Sequence, residues 1–217
     1  MRYPAAAGTY AGGVESLALA FSSGWASGIN SYLVVLVLGL ADRLGSVEGI
    51  PDVLGRWDVL AVAGLLYAFE FVADKVPYVD SAWDVISTAI RPVVGGAVGV
   101  LVAGESGAIS DLAGGTVGSA SALAAHAAKT GTRMALNTVP EPFTNIGISL
   151  GEDVAVLAVV WFALEHPYAA ASVAAVLLVA GLVVLWLAWR TVRRGWGRFR
   201  AWRERRGQRA GRAGGSP

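Results

Sequence analysis

Apolar residues in this chain come in long runs separated by brief polar stretches, not in short alternating or one-sided patterns. The runs extend from about Glu15 to Ala41, Trp57 to Ala73, Pro92 to Ala103, Leu112 to Leu136, Ile146 to Leu164 and Tyr168 to Trp189. A bilayer's hydrocarbon core is crossed by about 20 apolar residues of helix, and runs of this kind match that requirement. The pattern predicts an all-α fold, a polytopic membrane helix bundle of about six segments. The first run is interrupted by SSGWASGINS (22–31). Such a stretch predicts at least one broken or re-entrant helix, tolerated where protein or a water-filled cavity satisfies the freed backbone. Pro92 reads as the first turn of the short, Gly-rich third segment. Just before it, VPYVDSAWDVISTAIRP (76–92) has the spacing of a short amphipathic helix at the membrane surface. The fourth segment opens with AGGTVGSASALAAH (113–126). Its small residues, like those of the third, allow close packing within the chain or between copies in a homo-oligomer.

Composition agrees with this class. Hydrophobic residues make up 55% of the 217 and charged residues only 15%, where a soluble domain carries about 25%. There is no cysteine, which excludes disulfides, thiolate metal sites and cysteine nucleophiles. The N-terminal MRYPAAAGTYAGG has one Arg and no compact apolar core, so no cleavable signal is expected.

Charge divides the chain into an N-terminal segment (1–14), a membrane domain (15–189) and a tail (190–217). The tail holds ten Arg and one Glu, whereas the preceding residues hold seven Lys or Arg and fifteen Asp or Glu. A basic segment directly after an apolar helix fits a cytoplasmic tail under the positive-inside rule. Its expected partners are membrane lipids with anionic headgroups rather than nucleic acid. Trp196, Phe199 and Trp202 suggest an interfacial helical turn or two before a disordered Gly-rich end. With six spans, both termini are cytoplasmic, in a multi-pass protein of the inner (plasma) membrane. The loop around Arg43 and Arg56 fits this orientation least well.

The candidate chemistry lies in YAFEFVADKVPYVDSAWD (67–84) and HAAKTGTRMALNTVPEPFTNIGISLGED (126–153). An ionisable side chain inside a membrane segment is costly and marks a functional site by default. Helical spacing sorts these residues into stripes. Glu70 and Asp74 share a face, with Lys75 beside them. Asp80, Asp84, Ser87 and Arg91 form a second stripe, and His126, Lys129, Arg133 and Asn137 a third. Asn145, Ser149 and Glu152 or Asp153 form a fourth, and Glu141 sits between two prolines in a rigid turn. Asn30 adds an amide at the break in the first segment. A salt-bridge network that only fixes helix packing is the plainer account. However, more than ten ionisable or amide groups cost more desolvation than packing requires.

These residues also carry a resemblance. ASGINSYL, EFVADKVPYVDSAWD, RP, HAAKTGTRMALNTVPEPFTN and SLGED, spanning Ser22 to Pro167, resemble the bacterial membrane family catalogued as domain of unknown function 4126. The resemblance implies an integral membrane protein and brings no activity with it. The run from Glu70 to Lys75 also looks like the E-x-G-D-K-T motif of small cation/proton exchangers. It has one extra residue between the acids and lacks the Gly and Thr. GINS near Gly28 and NIGIS near Asn145 hint at an inverted repeat.

The functional expectation is a small transporter or permease for an inorganic cation or a proton-coupled solute. Glu70, Asp74, Glu152 and Asp153 would carry the cation or proton, with a bound divalent cation as the candidate cofactor. Lys129 and Arg133 would be counter-charges, and Asn30, Asn137 and Asn145 polar ligands. One alternative is a membrane-embedded lipid- or phosphate-handling protein using His126, Lys129 and Arg133. Another is a structural membrane protein. No HExxH, GxSxG or P-loop signature assigns an enzyme class.

Overall fold

The computed structural model describes the backbone of residues 13–45, 50–76, 79–103, 108–136 and 142–213. Side chains are described over 14–45, 50–76, 79, 82–102, 110–134, 143 and 146–194. Six helices account for nearly all of it: α1 (Gly13–Arg43), α2 (Trp57–Ala73), α3 (Val79–Ala103), α4 (Ala108–Leu136), α5 (Pro142–Glu165) and α6 (Pro167–Ala213). Four of them are long and apolar enough to cross a membrane, over Val14–Arg43, Ala82–Val102, Ile146–Glu165 and Pro167–Arg194. The all-helical membrane bundle expected from the apolar runs is the observed fold.

The hub is α1, which packs against each of the other five helices. Its core residues Ile29, Leu33, Val34 and Leu38 meet Val98, Ala125, Val156 and Val160 from α3, α4 and α5. Many large apolar side chains point outward instead, including Leu65, Phe69 and Val72 on α2 and Val176, Val179 and Val183 on α6. Apolar surface on this scale marks a face that lipid covers.

The closest pair is α3 and α4. Gly95 and Gly99 lie against Gly118, and Gly99 also against Gly114, where an added Cβ would strike the facing backbone. The small residues of these segments therefore serve packing inside the chain. Gly28 on α1 nests the same way against Ala122 of α4.

Two segments differ from expectation. Pro92 does not begin a helix: α3 starts at Val79 and runs through it. The stretch read as a surface helix is the first half of a span. Pro92 lacks a backbone donor and so frees the Thr88 carbonyl one turn earlier, a loss that helices inside membranes tolerate; Ser119 of α4 also donates to the Pro92 carbonyl at 2.9 Å, which ties α4 to α3 at this point. Pro142 and Pro167, in contrast, do open α5 and α6. The second difference is α6, which remains helical to Ala213 over 47 residues, well past the turn or two expected after Trp189.

The predicted break in the first segment is present. Asn30 has φ −151 and ψ 96, outside the helical region, and divides α1 into two halves.

Candidate functional site

The break at Asn30 creates two helix ends inside the bundle. The second half starts with Asn30 as its N-cap. Its Oδ1 accepts from the Leu33 backbone N–H at 3.0 Å, the side-chain cap typical of Asn before a helix's first turn. The first half ends in carbonyls that have lost their helical donors. Gly28 O accepts from Arg91 Nη1 at 2.9 Å, and Ile29 O accepts from Lys129 Nζ at 2.9 Å. Cations therefore sit at a helix C-terminus, the arrangement the helix dipole favours.

Those two cations anchor a buried network. Arg91 pairs with Glu70 and, at 3.6 Å, with Asp84. Lys129 reaches Asp74 at 3.1 Å, Glu152 at 3.4 Å and Glu70 at 3.7 Å. Arg133 pairs with Glu152 at 2.6 Å and Asp74 at 2.9 Å. Local helix geometry delivers each group. Glu70 and Asp74 are one turn apart at the end of α2, and Asp74 is its C-cap residue. Asp84 and Arg91 lie two turns apart on α3, with Ser87 buried between them. Lys129 and Arg133 are one turn apart near the end of α4. Their contacts gather the end of α2, the first half of α3, the last turns of α4 and the middle of α5 around the break in α1.

His126 is a neutral link. Its Nδ1 lies 2.8 Å from Arg91 Nη1, which can only donate, so Nδ1 accepts. The proton then sits on Nε2, which lies 2.9 Å from Thr88 Oγ1 and 3.2 Å from the Asp84 carbonyl oxygen.

Asp153 stands apart from the cations. Its Oδ1 accepts from Asn30 Nδ2 at 3.0 Å, and its Oδ2 lies 3.4 Å from the Tyr67 hydroxyl, which donates to it. No Lys or Arg among the described residues pairs with it. Glu152 and Asp153, adjacent in sequence, thus serve different sides of the site.

Several buried polar atoms here have no hydrogen-bond partner among the described residues: Glu70 Oε2, Asp74 Oδ1, Asp84 Oδ1, Arg91 Nε, Arg133 Nη1 and the hydroxyls of Ser27, Ser87 and Ser149. Each such group, left dry, costs about 1–3 kcal/mol. Donors and acceptors are mixed, so the set suits water or a small solute with both.

Most of the predicted site residues converge: Asn30, Glu70, Asp74, Asp84, Arg91, His126, Lys129, Arg133, Ser149, Glu152 and Asp153 line one buried region. Lys75 faces Asp153 and Asp74 electrostatically but forms no ion pair with them. It donates to the Phe71 carbonyl at 2.8 Å and lies over the Phe71 ring. Asn137 and Glu141, and the side chains of Asp80 and Asn145, lie outside the described residues. Among the described residues no three His, Asp or Glu group closely enough to hold a metal ion. Glu70, Asp74 and Glu152, three of the four carboxylates expected to carry a cation, each face Arg or Lys. Tyr67 was not among the predicted site residues, although its position three before Glu70 signals a shared helix face. The Gly28 and Ile29 carbonyls carry no side-chain signal at all.

A family model described as Domain of unknown function (DUF4126) matches residues 17–188, and the chain belongs to that family. The match takes in nearly all of the bundle, including most of the apolar part of α6. No curated protein and no solved structure matches the chain.

Proposed function

We propose that this member of the family is a small membrane carrier that moves a compact polar solute together with protons at the charged break in α1. The observation that carries the reading is the break itself. Its freed carbonyls hold Arg91 and Lys129, and its N-cap amide holds Asp153. Carriers build sites from discontinuous helices because half-helix ends inside a bilayer supply oriented charge and flexible backbone together. A network that only fastened helices would have no need of a broken one.

A solute coupled to protons fits better than a free inorganic cation. Glu70, Asp74 and Glu152 already neutralise internal cations, so a metal ion would have to displace Arg or Lys. The mixed unpartnered atoms instead suit a solute with both donors and acceptors. A phosphate headgroup fits less well, because Lys129 and Arg133 are committed to carboxylates. We place the protein in the plasma membrane with both termini cytoplasmic, which puts the network toward the cytoplasmic half.

The test is flux into proteoliposomes under an imposed pH gradient, with a panel of labelled small polar solutes and cations. Wild type should accumulate at least one solute, and Asp74→Asn and Glu152→Gln should reduce that accumulation at least tenfold. Background flux across the panel for wild type, with the protein folded, would sink the carrier reading and favour a structural network.

A further inference from the structure

We infer that Asp153 is the carboxyl that takes up and releases the coupling proton, and that Asn30 passes its protonation state to the break in α1. This rests on the carrier reading and names the proton site within it.

Five carboxylates are buried or half-buried in the network, and four of them pair with Arg or Lys: Glu70, Asp74, Asp84 and Glu152. To accept a proton, any of these must weaken an ion pair with a buried Arg or Lys. Asp153 need not, since among the described residues its oxygens bond only the Asn30 amide and the Tyr67 hydroxyl. The charged and titratable groups that face it are few. From α2 they are Tyr67, Asp74 and Lys75, from α4 Lys129, and beside it on α5 Glu152. Its contact from α1 is the uncharged Asn30, and α6 has no charged residue between Tyr168 and Trp189.

The step balances simply. A proton from water adds to Oδ2, the carboxylate becomes a neutral carboxyl, and the new O–H turns to donate to the Tyr67 oxygen. Oδ1 stays an acceptor for Asn30, but the bond loses its charge assistance and weakens. The same Asn30 side chain caps the second half of α1 through Leu33. Loosening one end of this amide loosens the cap, so the proton's arrival is felt by the helix break directly. Ser149 points to the route. It lies one turn before Asp153 on α5, is 1% exposed, and its hydroxyl has no partner. A hydroxyl both donates and accepts, which a relay requires.

The experiment uses the full chain in lipid vesicles and the proton as its probe. Infrared difference spectra between acid and alkaline pH should show one reversible protonated-carboxyl C=O band. Asp153→Asn should abolish the band, whereas Asp84→Asn and Glu152→Gln should keep it. In parallel, hydrogen exchange at Ser31–Leu33 should change with pH in wild type and become independent of pH in Asp153→Asn. A band that survives Asp153→Asn overturns the assignment, and so does pH-dependent exchange in that variant. If Asp153→Asn does not fold, Tyr67→Phe decides: the band must shift in frequency and midpoint, and an unmoved band is an equally clear refutation. Solute flux is not read here, so a carrier without this band overturns the proton site alone. A band without flux overturns only the carrier.

Discussion

At the scale of single residues, the network is a case where removing one partner costs far more than removing both. Arg91 is almost fully buried and holds Glu70, Asp84, His126 and the Gly28 carbonyl at once. Arg91→Met takes from Glu70 its closest cation and leaves only Lys129 at 3.7 Å, and breaking such a buried pair costs about 3–5 kcal/mol. Thermal unfolding in detergent should show this loss, and Arg91→Met combined with Glu70→Gln should recover a large part of it. A loss in the double variant equal to the sum of the losses in Arg91→Met and Glu70→Gln would mean that the two residues are not coupled. Asn30 has a different role, because its two ends do separate work. Asn30→Ala removes the cap, worth about 1 kcal/mol, and leaves Asp153 without its best donor, a further 1–3 kcal/mol or so. Asn30→Ser should restore the cap and not the reach to Asp153. Its stability should therefore fall between Asn30→Ala and wild type, read from the same unfolding curves. These residues were legible in the sequence because ionisable groups in apolar runs are rare and their spacing fixes a shared face. Which acid meets which base was not legible. Pairing depends on how four helices meet in space, and spacing within one helix says nothing about that.

At the scale of elements, glycine positions show which helix faces are closed. A Cβ at Gly28 would strike the Ala122 carbonyl oxygen, whereas one at Gly151 on α5 meets nothing within 4 Å. Gly28→Ala should cost about 1–3 kcal/mol through overpacking, and by pushing α1 from α4 it should also disturb the Lys129 contact to Ile29. Gly151→Ala should be neutral or stabilise by up to about 1 kcal/mol, since Ala is the better helix former. Unfolding midpoints of the two variants should move in opposite directions or differ clearly; a matched pair of losses would contradict the packing. The broken α1 was legible as an element because Gly, Ser and Asn interrupt an apolar run at one place. The start of α3 was not. Pro92 has the same local meaning as Pro142 and Pro167 when read alone, and only the packing of α4 against α3, with Ser119 on the Pro92 carbonyl, distinguishes an interior proline from an initial one. That misreading placed Asp84 and Ser87 at a surface, when α3 carries them into the bundle.

At the scale of the whole molecule, the polar and apolar parts are arranged inside out relative to a soluble protein. The charged network is enclosed by α1 to α5, while α2 and α6 turn apolar side chains outward. Such a body is stable only where lipid surrounds the outer faces, and this fixes how α6 must sit. Its apolar part, Pro167–Arg194, is long and apolar enough to span the bilayer, and a spanning α6 puts its two ends on opposite sides. His166 and Thr191 are both exposed and lie at these two ends. The chain has no cysteine of its own, so a single introduced thiol reports without background. In intact cells, His166→Cys should react with a membrane-impermeant maleimide and Thr191→Cys should not. In inverted membrane vesicles the pattern should reverse, with the Arg-rich end of α6 in the cytoplasm as the positive-inside rule requires. Labelling of both thiols from one side would mean that α6 lies along the membrane instead of crossing it. Opposite labelling in the reverse sense would turn the bundle over and place the network, with Asp153, toward the outer face.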